Sequence, residues 1–445
     1  MAAGFLLPER PLGTLADWLA LGGGDGLRAA RRLGPEGTID EIRASGLRGR
    51  GGGGFPTGAK WAGVAAGRGT HHYLVTNAAE GEPGTFKDRR LMRDNPYQLV
   101  EGVAIAAFAV GATEAFIGLK ASFTTEIDRL TRALADMTAA GLAGDVPIQI
   151  VPGPEEYLLG EEKALLEVIE GKDPLPRLLP PYELGLFAND VAIGWEAGSR
   201  PVAGRSDSNP TVVNNVESLA SAAHIMANGS EWFRSMGTRE SPGTVIATVV
   251  GDVRVPGVHE VEMGTPFSAL LELCGGPLPG RTYKAAFSGV SNPVLPADAF
   301  DTLLTYEDFA ARGAGLGAAG FVVYDDSVNM TLVAAELSRF LSIESCGQCP
   351  PCKQGSLSIT AMLASICNRE AGDEVLGELA NRLRSVTDAN RCFLGTEEQV
   401  VVSSILREFP DDVAAFLENR PALNREVQVP LIKEIHPGGI VDLGT

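Results

Sequence analysis

Cysteine, histidine and aromatic side chains are scarce in this sequence. Its 445 residues include six cysteines and five histidines, and aromatics make up 6%. The cysteines are too few and too unevenly spread for a secreted disulfide framework. Positive charge is short as well: 37 Lys and Arg against 56 Asp and Glu give a net charge of −19. That balance argues against nucleic acid or an anionic membrane as the main partner. The longest apolar run, Gly102 to Thr113, is closed by Glu101 and Glu114 and is too short to span a bilayer. The opening MAAGFLLPER is too poor in apolar residues for a signal peptide. No repeat or low-complexity tract is evident. The expectation is a soluble, cytoplasmic, globular protein of several domains, with no direct membrane insertion.

Glycine, by contrast, is abundant at 54 residues. It is densest in GLRGRGGGGFPTGAKW, residues 46–61. Ordering so much glycine costs conformational entropy, so the segment must gain something from its structure. Backbone N–H groups between Arg50 and Lys60 suit a phosphate. Gly49 to Gly54 matches the dinucleotide pattern G-x-G-x-x-G, but a helical stretch, IDEIRAS, precedes it where a strand is required. A Walker A match from Gly53 fails because Ala59 separates Gly58 from Lys60. Phe55, Pro56 and Trp61 set the loop apart from a flexible linker. They point to a ligand with both a ring and a phosphate.

Hydrophobic periodicity orders the rest. TLADWLA and IDEIRASG read as helices. HYLVTNA, AFIGLK and VPIQIV read as strands, separated by a buried Ala-rich helix, YQLVEGVAIAAFAVGA, and an amphipathic one, TTEIDRLTRALADMTAAG. EYLLGEEKALLEVIEG and PTVVNNVESLASAAHIMAN read as further helices. This alternation implies βαβ units and a largely parallel sheet. From Gly243 to about residue 330 the chain is dense in β-branched residues and turns. Beyond Asn329 it becomes helical again, as a bundle. The last twenty residues read as a tail.

ESCGQCPPCKQG places two residues between Cys346 and Cys349 and two between Cys349 and Cys352. A bacterial ferredoxin run would have its next cysteine where Ser356 stands. A 4Fe–4S cluster therefore needs a fourth thiolate from elsewhere. Cys367 lies in the apolar pattern ITAMLASIC and reads as a core residue. Cys274 lies far off in the β-rich region. Cys392, in NRCFLG just after a helical stretch, is the best candidate. Structural zinc is the rival, but zinc sites favour paired knuckles or histidine, and no histidine lies near these cysteines.

GLRGRGGGGFPTGAKW, NAAEGEPGTFKDR, YLLGEEKALLEVIEG, PTVVNNVESLA and ESCGQCPPC followed by Cys392 together resemble the NADH-binding flavoprotein subunit of respiratory complex I. That family includes the diaphorase subunits of soluble NAD-linked hydrogenases and formate dehydrogenases. The resemblance runs from about residue 15 to about residue 410. It implies an α/β fold with a Rossmann-like FMN-binding domain, a small β-grasp-like SLBB domain and a C-terminal helical bundle carrying an iron–sulfur cluster. The corresponding bounds are a helical lead-in (1–45), the FMN/NADH domain (46–238), the SLBB domain (239–330), the cluster domain (331–424) and a tail (425–445).

The resemblance further implies that Gly49, Arg50, Gly51, Gly52 and Lys60 contact FMN. Asn77, Glu80, Tyr157, Gly160, Glu161, Glu162, Asn214 and Asn215 would complete the flavin pocket, and Phe55 would stack on the nicotinamide dinucleotide. Glu80, Glu82 and Glu162 are the implied catalytic carboxylates, and Cys346, Cys349, Cys352 and Cys392 the cluster ligands. Simpler roles stand beside these: a core aromatic for Phe55, and helix caps for Asn214, Asn215, Glu161 and Glu162. The implied activity is NADH:acceptor oxidoreduction: hydride from NADH to FMN, then single electrons to the 4Fe–4S cluster and on to a partner. The implied partners are a thioredoxin-like 2Fe–2S subunit and a larger iron–sulfur subunit.

Four departures from the family cluster on the dinucleotide side. Ala79 replaces an acid, Leu179 replaces a lysine before Pro180-Pro181-Tyr182, Glu155 and Glu156 bring two extra carboxylates, and Lys163 replaces a threonine. They raise an alternative, a flavin and iron–sulfur relay in which NAD(H) is not the physiological substrate.

Overall fold

The computed structural model describes residues 5–69, 71–188 and 208–444. They divide into two compact units. The first comprises residues 1–80 and 88–244, and the second residues 81–87 and 245–445.

The first unit opens with α1 (Leu15–Ala20) and α2 (Asp25–Ser45). Thr14 and Asp17 form a reciprocal capping box at the head of α1. The glycine loop follows and leads into α3 (Thr57–Ala65). Then come β1 (Tyr73–Asn77), α4 (Lys87–Asp94), α5 (Pro96–Ala109), β2 (Glu114–Lys120), α6 (Thr124–Ala139), β3 (Ile148–Gly153), a 3-10 turn (Tyr157–Gly160) and α7 (Glu162–Ile169). β4 (Thr211–Asn215), α8 (Val216–Asn228) and α9 (Ser230–Arg234) complete it. The four strands lie in the order β3-β2-β1-β4, all parallel. The Ala-rich helix α5 is buried at almost every position, as its sequence requires, and packs on α2, α6 and α8.

One sequence expectation changes here. PTVVNN is not the start of a helix. Thr211–Asn215 forms β4, paired in register with β1, and the helix starts at Val216. The chain runs outward from β1 through β2 to β3 and then returns to the other side of β1. In open parallel sheets ligands bind at such a reversal, beyond the carboxyl ends of the strands. Asn77 and Asn215 are paired neighbours there.

The second unit holds β5 (Thr244–Gly251), β6 (Gly257–Glu262), α10 (Phe267–Leu273), β7 (Tyr283–Ser288), β8 (Leu295–Pro296), α11 (Tyr306–Ala311) and β9 (Gly320–Asp325). The strands make a mixed sheet, β6-β5-β9-β7-β8. Its core includes Phe267, Phe300, Phe309 and Phe321. The helical part is α12 (Met330–Glu344), α13 (Pro350–Cys367), α14 (Glu374–Ser385), α15 (Leu394–Glu408) and α16 (Pro410–Leu417). Residues 425–444 are more than a tail. Arg425 binds Asp252 and Asp325, and β10 (Ile432–Ile435) pairs with β11 (Val441–Leu443) as an antiparallel hairpin. The segment 81–87 is held in this unit by Phe86 N donating to Thr248 Oγ1 at 3.0 Å and Gly84 N to Pro430 O at 2.9 Å. No helix among the described residues is long and apolar enough to cross a membrane.

Candidate functional site

The glycine loop is pinned at its base. Gly49 N donates to Phe55 O at 2.8 Å, Thr57 N to Leu47 O at 2.9 Å, and Arg48 Nε to Gly54 O at 2.8 Å. Its tip is left open: among the described residues, the amides of Gly51, Gly52 and Gly53 donate to no hydrogen bond. Geometry favours glycine at two positions. Gly52 has φ 114°, a region side chains rarely enter. A Cβ on Gly51 would lie 3.0 Å from the Cβ of Asn215, so the loop lies directly over the end of β4. Three open amides above the carboxyl ends of parallel strands fit a phosphate-bearing cofactor such as FMN.

Arg50 departs from the expectation of a ligand contact. Its side chain is 1% exposed. The guanidinium donates to the carbonyls of Thr244, Pro242 and Arg48, and its Nε lies 3.9 Å from Glu217 Oε1. Its amide is also used, donating to Ser218 Oγ at 2.8 Å. Arg50 braces the loop from behind. Lys60 does reach the site side of α3, where its Nζ lies 3.0 Å from Glu162 Oε2. Phe55 is 59% exposed, so it is not a core aromatic.

At the strand ends the asparagines are already partly engaged. Asn77 Nδ2 donates to Gly160 O at 2.6 Å. Asn214 Oδ1 accepts from Trp61 Nε1 at 2.7 Å. Asn215 caps α8 through Glu217 N and donates from Nδ2 to Asp88 Oδ2 at 2.6 Å. The capping role and the site position therefore coincide in one residue. Asp88 and Ser218 are supporting residues that motif reading passes over: both lie inside the quoted motifs, but nothing in their spacing marks a role, whereas Trp61 is flagged by its place in the glycine loop.

The carboxylates spread over several tasks. Glu80 accepts from the amides of Asp88 and Arg89, each at 3.1 Å, at the head of α4. Glu161 is the N-cap of α7, accepting from Lys163 N and Ala164 N. Burial pushes its carboxyl up, while the Lys163 ammonium and the capping amides pull it down. Glu82 belongs to the second unit, where Val290 N donates to it at 2.6 Å. The structure thus brings Lys60, Glu162, Asn77, Gly160, Asn214 and Asn215 into one region of the first unit. Tyr157 stands on the 3-10 turn that leads to Glu161.

The four departures are also placed. Ala79 is buried in an apolar cluster with Leu159 and Leu165. Both carboxylate oxygens of Glu155 are taken by Ser122, through its amide at 3.0 Å and its hydroxyl at 2.6 Å. Lys163 pairs with Glu161 at 3.7 Å. Glu156 is exposed and Leu179 half-buried.

In the second unit the cysteine turn ends α12 and starts α13. Cys349 is the N-cap of α13, and Cys352 lies in its first turn. Arg391 N donates to Cys349 Sγ at 3.4 Å, which draws the loop carrying Cys392 to the turn. Ser345 Oγ lies 3.4 Å from Cys352 Sγ, and Gln348 Nε2 3.7 Å from Cys346 Sγ. Burial pushes the Cys352 thiol up, and the Ser345 contact pulls it down. Both polar side-chain atoms of Asn390 are sealed from solvent with no partner among the described residues. Among the described residues no group of three or more Cys, His, Asp or Glu is arranged to hold a metal ion; by chemistry, the thiols of this turn and of the adjoining loop are of the kind that suits an iron–sulfur group. Cys367 donates instead to Thr331 O, and Cys274 lies in the core beside His259.

Comparison with known proteins identifies three regions of the chain. Residues 42–224 match the Nuo51 FMN-binding domain, 246–287 the SLBB domain, and 332–416 the iron–sulfur binding region of NADH-ubiquinone oxidoreductase F. An NADH-quinone oxidoreductase F subunit of Rhizobium meliloti is 39% identical, over 89% of this chain and 93% of its own. The F subunit of the Streptomyces coelicolor enzyme is 36% identical, over 89% and 87%. The crystal structure of an NAD+-reducing NiFe hydrogenase in its H2-reduced state matches with a TM-score of 0.78 and 32% identity, over 92% of this chain and 67% of that one. The chain belongs to the family of NADH-quinone oxidoreductase F subunits, with its FMN-binding domain, SLBB domain and 4Fe–4S binding region.

Proposed function

We propose that this protein is the NADH-oxidising subunit of a multisubunit redox assembly. The observation that carries the reading is the open tip of the glycine loop, three undonated amides set over the ends of β1 and β4. FMN bound there supplies the exchange between a two-electron hydride and single electrons. The amides of Gly51, Gly52 and Gly53 would hold its phosphate, and Lys60, now beside Glu162, would supply a cation to it. Asn77, Asn214 and Asn215 line the strand ends against the flavin. Phe55 offers an exposed ring face to the dinucleotide. Cys346, Cys349, Cys352 and Cys392 hold the 4Fe–4S cluster that takes electrons onward.

The onward partner in this reading is a thioredoxin-like 2Fe–2S subunit together with a larger iron–sulfur subunit, in the cytoplasm. Phe393, beside Cys392, is 75% exposed, and Ile343 and Leu357 near the other cysteines are exposed too. Such apolar exposure around a redox centre suits protein docking. The relay alternative rests on the same departures: Glu155, held by the neutral Ser122, keeps its charge, and Ala79, packed in the core, supplies no acid.

The deciding experiment is anaerobic purification, a visible spectrum and addition of NADH. Flavin bands with a broad iron–sulfur shoulder, bleached promptly by NADH, are expected. Bleaching by dithionite but not by NADH would transfer the case to the relay.

A further inference from the structure

Glu398 is a carboxyl enclosed by the helical bundle. It stands on α15, the helix that begins just after Cys392, and is 0% exposed. Its Oε1 accepts from Ser338 Oγ on α12 at 2.5 Å, and Ser338 Oγ lies 2.8 Å from Thr360 Oγ1 on α13. Its Oε2 has no hydrogen-bond partner among the described residues. Several charged groups on the neighbouring elements have partners of their own. On α12 Glu336 pairs with Arg339, and on α13 Lys353 donates to the carbonyls of Ser342 and Ser345. On α14 Arg384 bonds Asn381, and on α16 Asp412 pairs with Lys284. The three helices that Glu398 joins, α12, α13 and α15, are those that adjoin the cysteine turn and Cys392, and its charge bears on Cys352 with no hydrogen bond between them.

We propose that Glu398 is a proton-binding residue coupled to the oxidation state of the cluster, so that reducing the cluster and protonating Glu398 favour one another. The inference rests on the reading of Cys346, Cys349, Cys352 and Cys392 as 4Fe–4S ligands. An electron added near a buried carboxylate is repelled by it strongly, because the interior screens poorly. A proton on that carboxylate removes the repulsion, and linkage makes the effect mutual. The step balances. One electron from the reductant enters the cluster, one proton from solvent binds a Glu398 carboxylate oxygen, and no bond between heavy atoms changes. Burial pushes this carboxyl up to about 8, and the Ser338 hydroxyl pulls it the other way. The coupling therefore acts on the alkaline side of neutrality.

The test is a redox titration of the holoprotein, followed by electron paramagnetic resonance with dithionite as reductant, from about pH 6 to about pH 10. The cluster potential should be level at the acid end and fall as pH rises through the alkaline range. E398Q should be level throughout and lie above wild type at the alkaline end. S338A keeps the carboxyl but loses the hydroxyl that favours its ionised form, so it should move the break to higher pH. A wild-type potential that ignores pH, or the same slope in E398Q as in wild type, overturns the proposal. If E398Q does not fold, the wild-type and S338A profiles decide. Absence of any reduced-cluster signal overturns the cysteine reading itself, and this inference with it.

Discussion

Arg50 donates to three backbone carbonyls from a position that solvent barely reaches. Its removal strips buried acceptors of their donor and leaves Glu217 without its cationic neighbour. Arg50→Ala should destabilise the protein by roughly 3–5 kcal/mol, read from urea denaturation midpoints. Arg50→Lys should recover little of this, because an ammonium cannot serve three directions in one plane. A neighbouring residue with the opposite fate is Lys60, which stays partly exposed beside Glu162. The sequence places both cations beside the glycines but does not say which one faces outward. The partners that turn Arg50 inward, Pro242 and Thr244, lie 192 and 194 residues further on. Local pattern carries no trace of them. Phe55, by contrast, is legible, since an aromatic among glycines has no local core to join.

Among the elements, the β4–α8 junction shows two roles meeting in one side chain. Asn215 caps α8 with Oδ1 and holds Asp88 with Nδ2. Asn215→Ala should lower stability by about 1 kcal/mol through the lost cap. Asn215→Ser should restore the cap but not the bond to Asp88, so stability recovers while flavin retention stays low. Denaturation midpoints and released-flavin fluorescence separate the two. In sequence the junction reads as one helix because a five-residue strand runs without a break into an apolar helix. The β-branched run Thr211-Val212-Val213 is the available signal, and the pairing with β1, far off in sequence, decides it. The three other parallel strands are legible because each is bounded by turns. In the bundle, Cys392→Ser should cost most of the iron and the broad visible shoulder while sparing flavin. Cys367→Ala and Cys274→Ala should keep both, as iron analysis would show. The C-x2-C-x2-C spacing announces the cluster, whereas the fourth ligand depends on the loop that Arg391 ties to Cys349.

For the whole molecule, two buried groups in the first unit set opposite limits on stability. His224 is enclosed by Phe5 and Trp232, and burial lowers it from 6.5 to about 4. A depressed histidine favours the fold above pH 6.5, and that contribution is lost as pH falls toward 4. Glu101 accepts from Leu27 N at 2.9 Å, and burial raises it from 4.5 to about 7. A raised carboxyl favours the fold below pH 4.5, and that contribution is lost as pH climbs through 7. Thermal midpoints across this range should show both limbs. Glu101→Gln should flatten the decline toward neutrality, and His224→Phe the decline toward acid.

Residues 81–87 belong to the second unit although both flanks belong to the first. A gene divided after codon 244 would therefore not encode two self-sufficient products. The downstream product would lack Glu82, Gly84 and Phe86, and with them the partners of Val290, Pro430 and Thr248. Recombination between relatives meets the same obstacle, since a crossover at that point draws residues 81–87 from one parent and the site that receives them from the other.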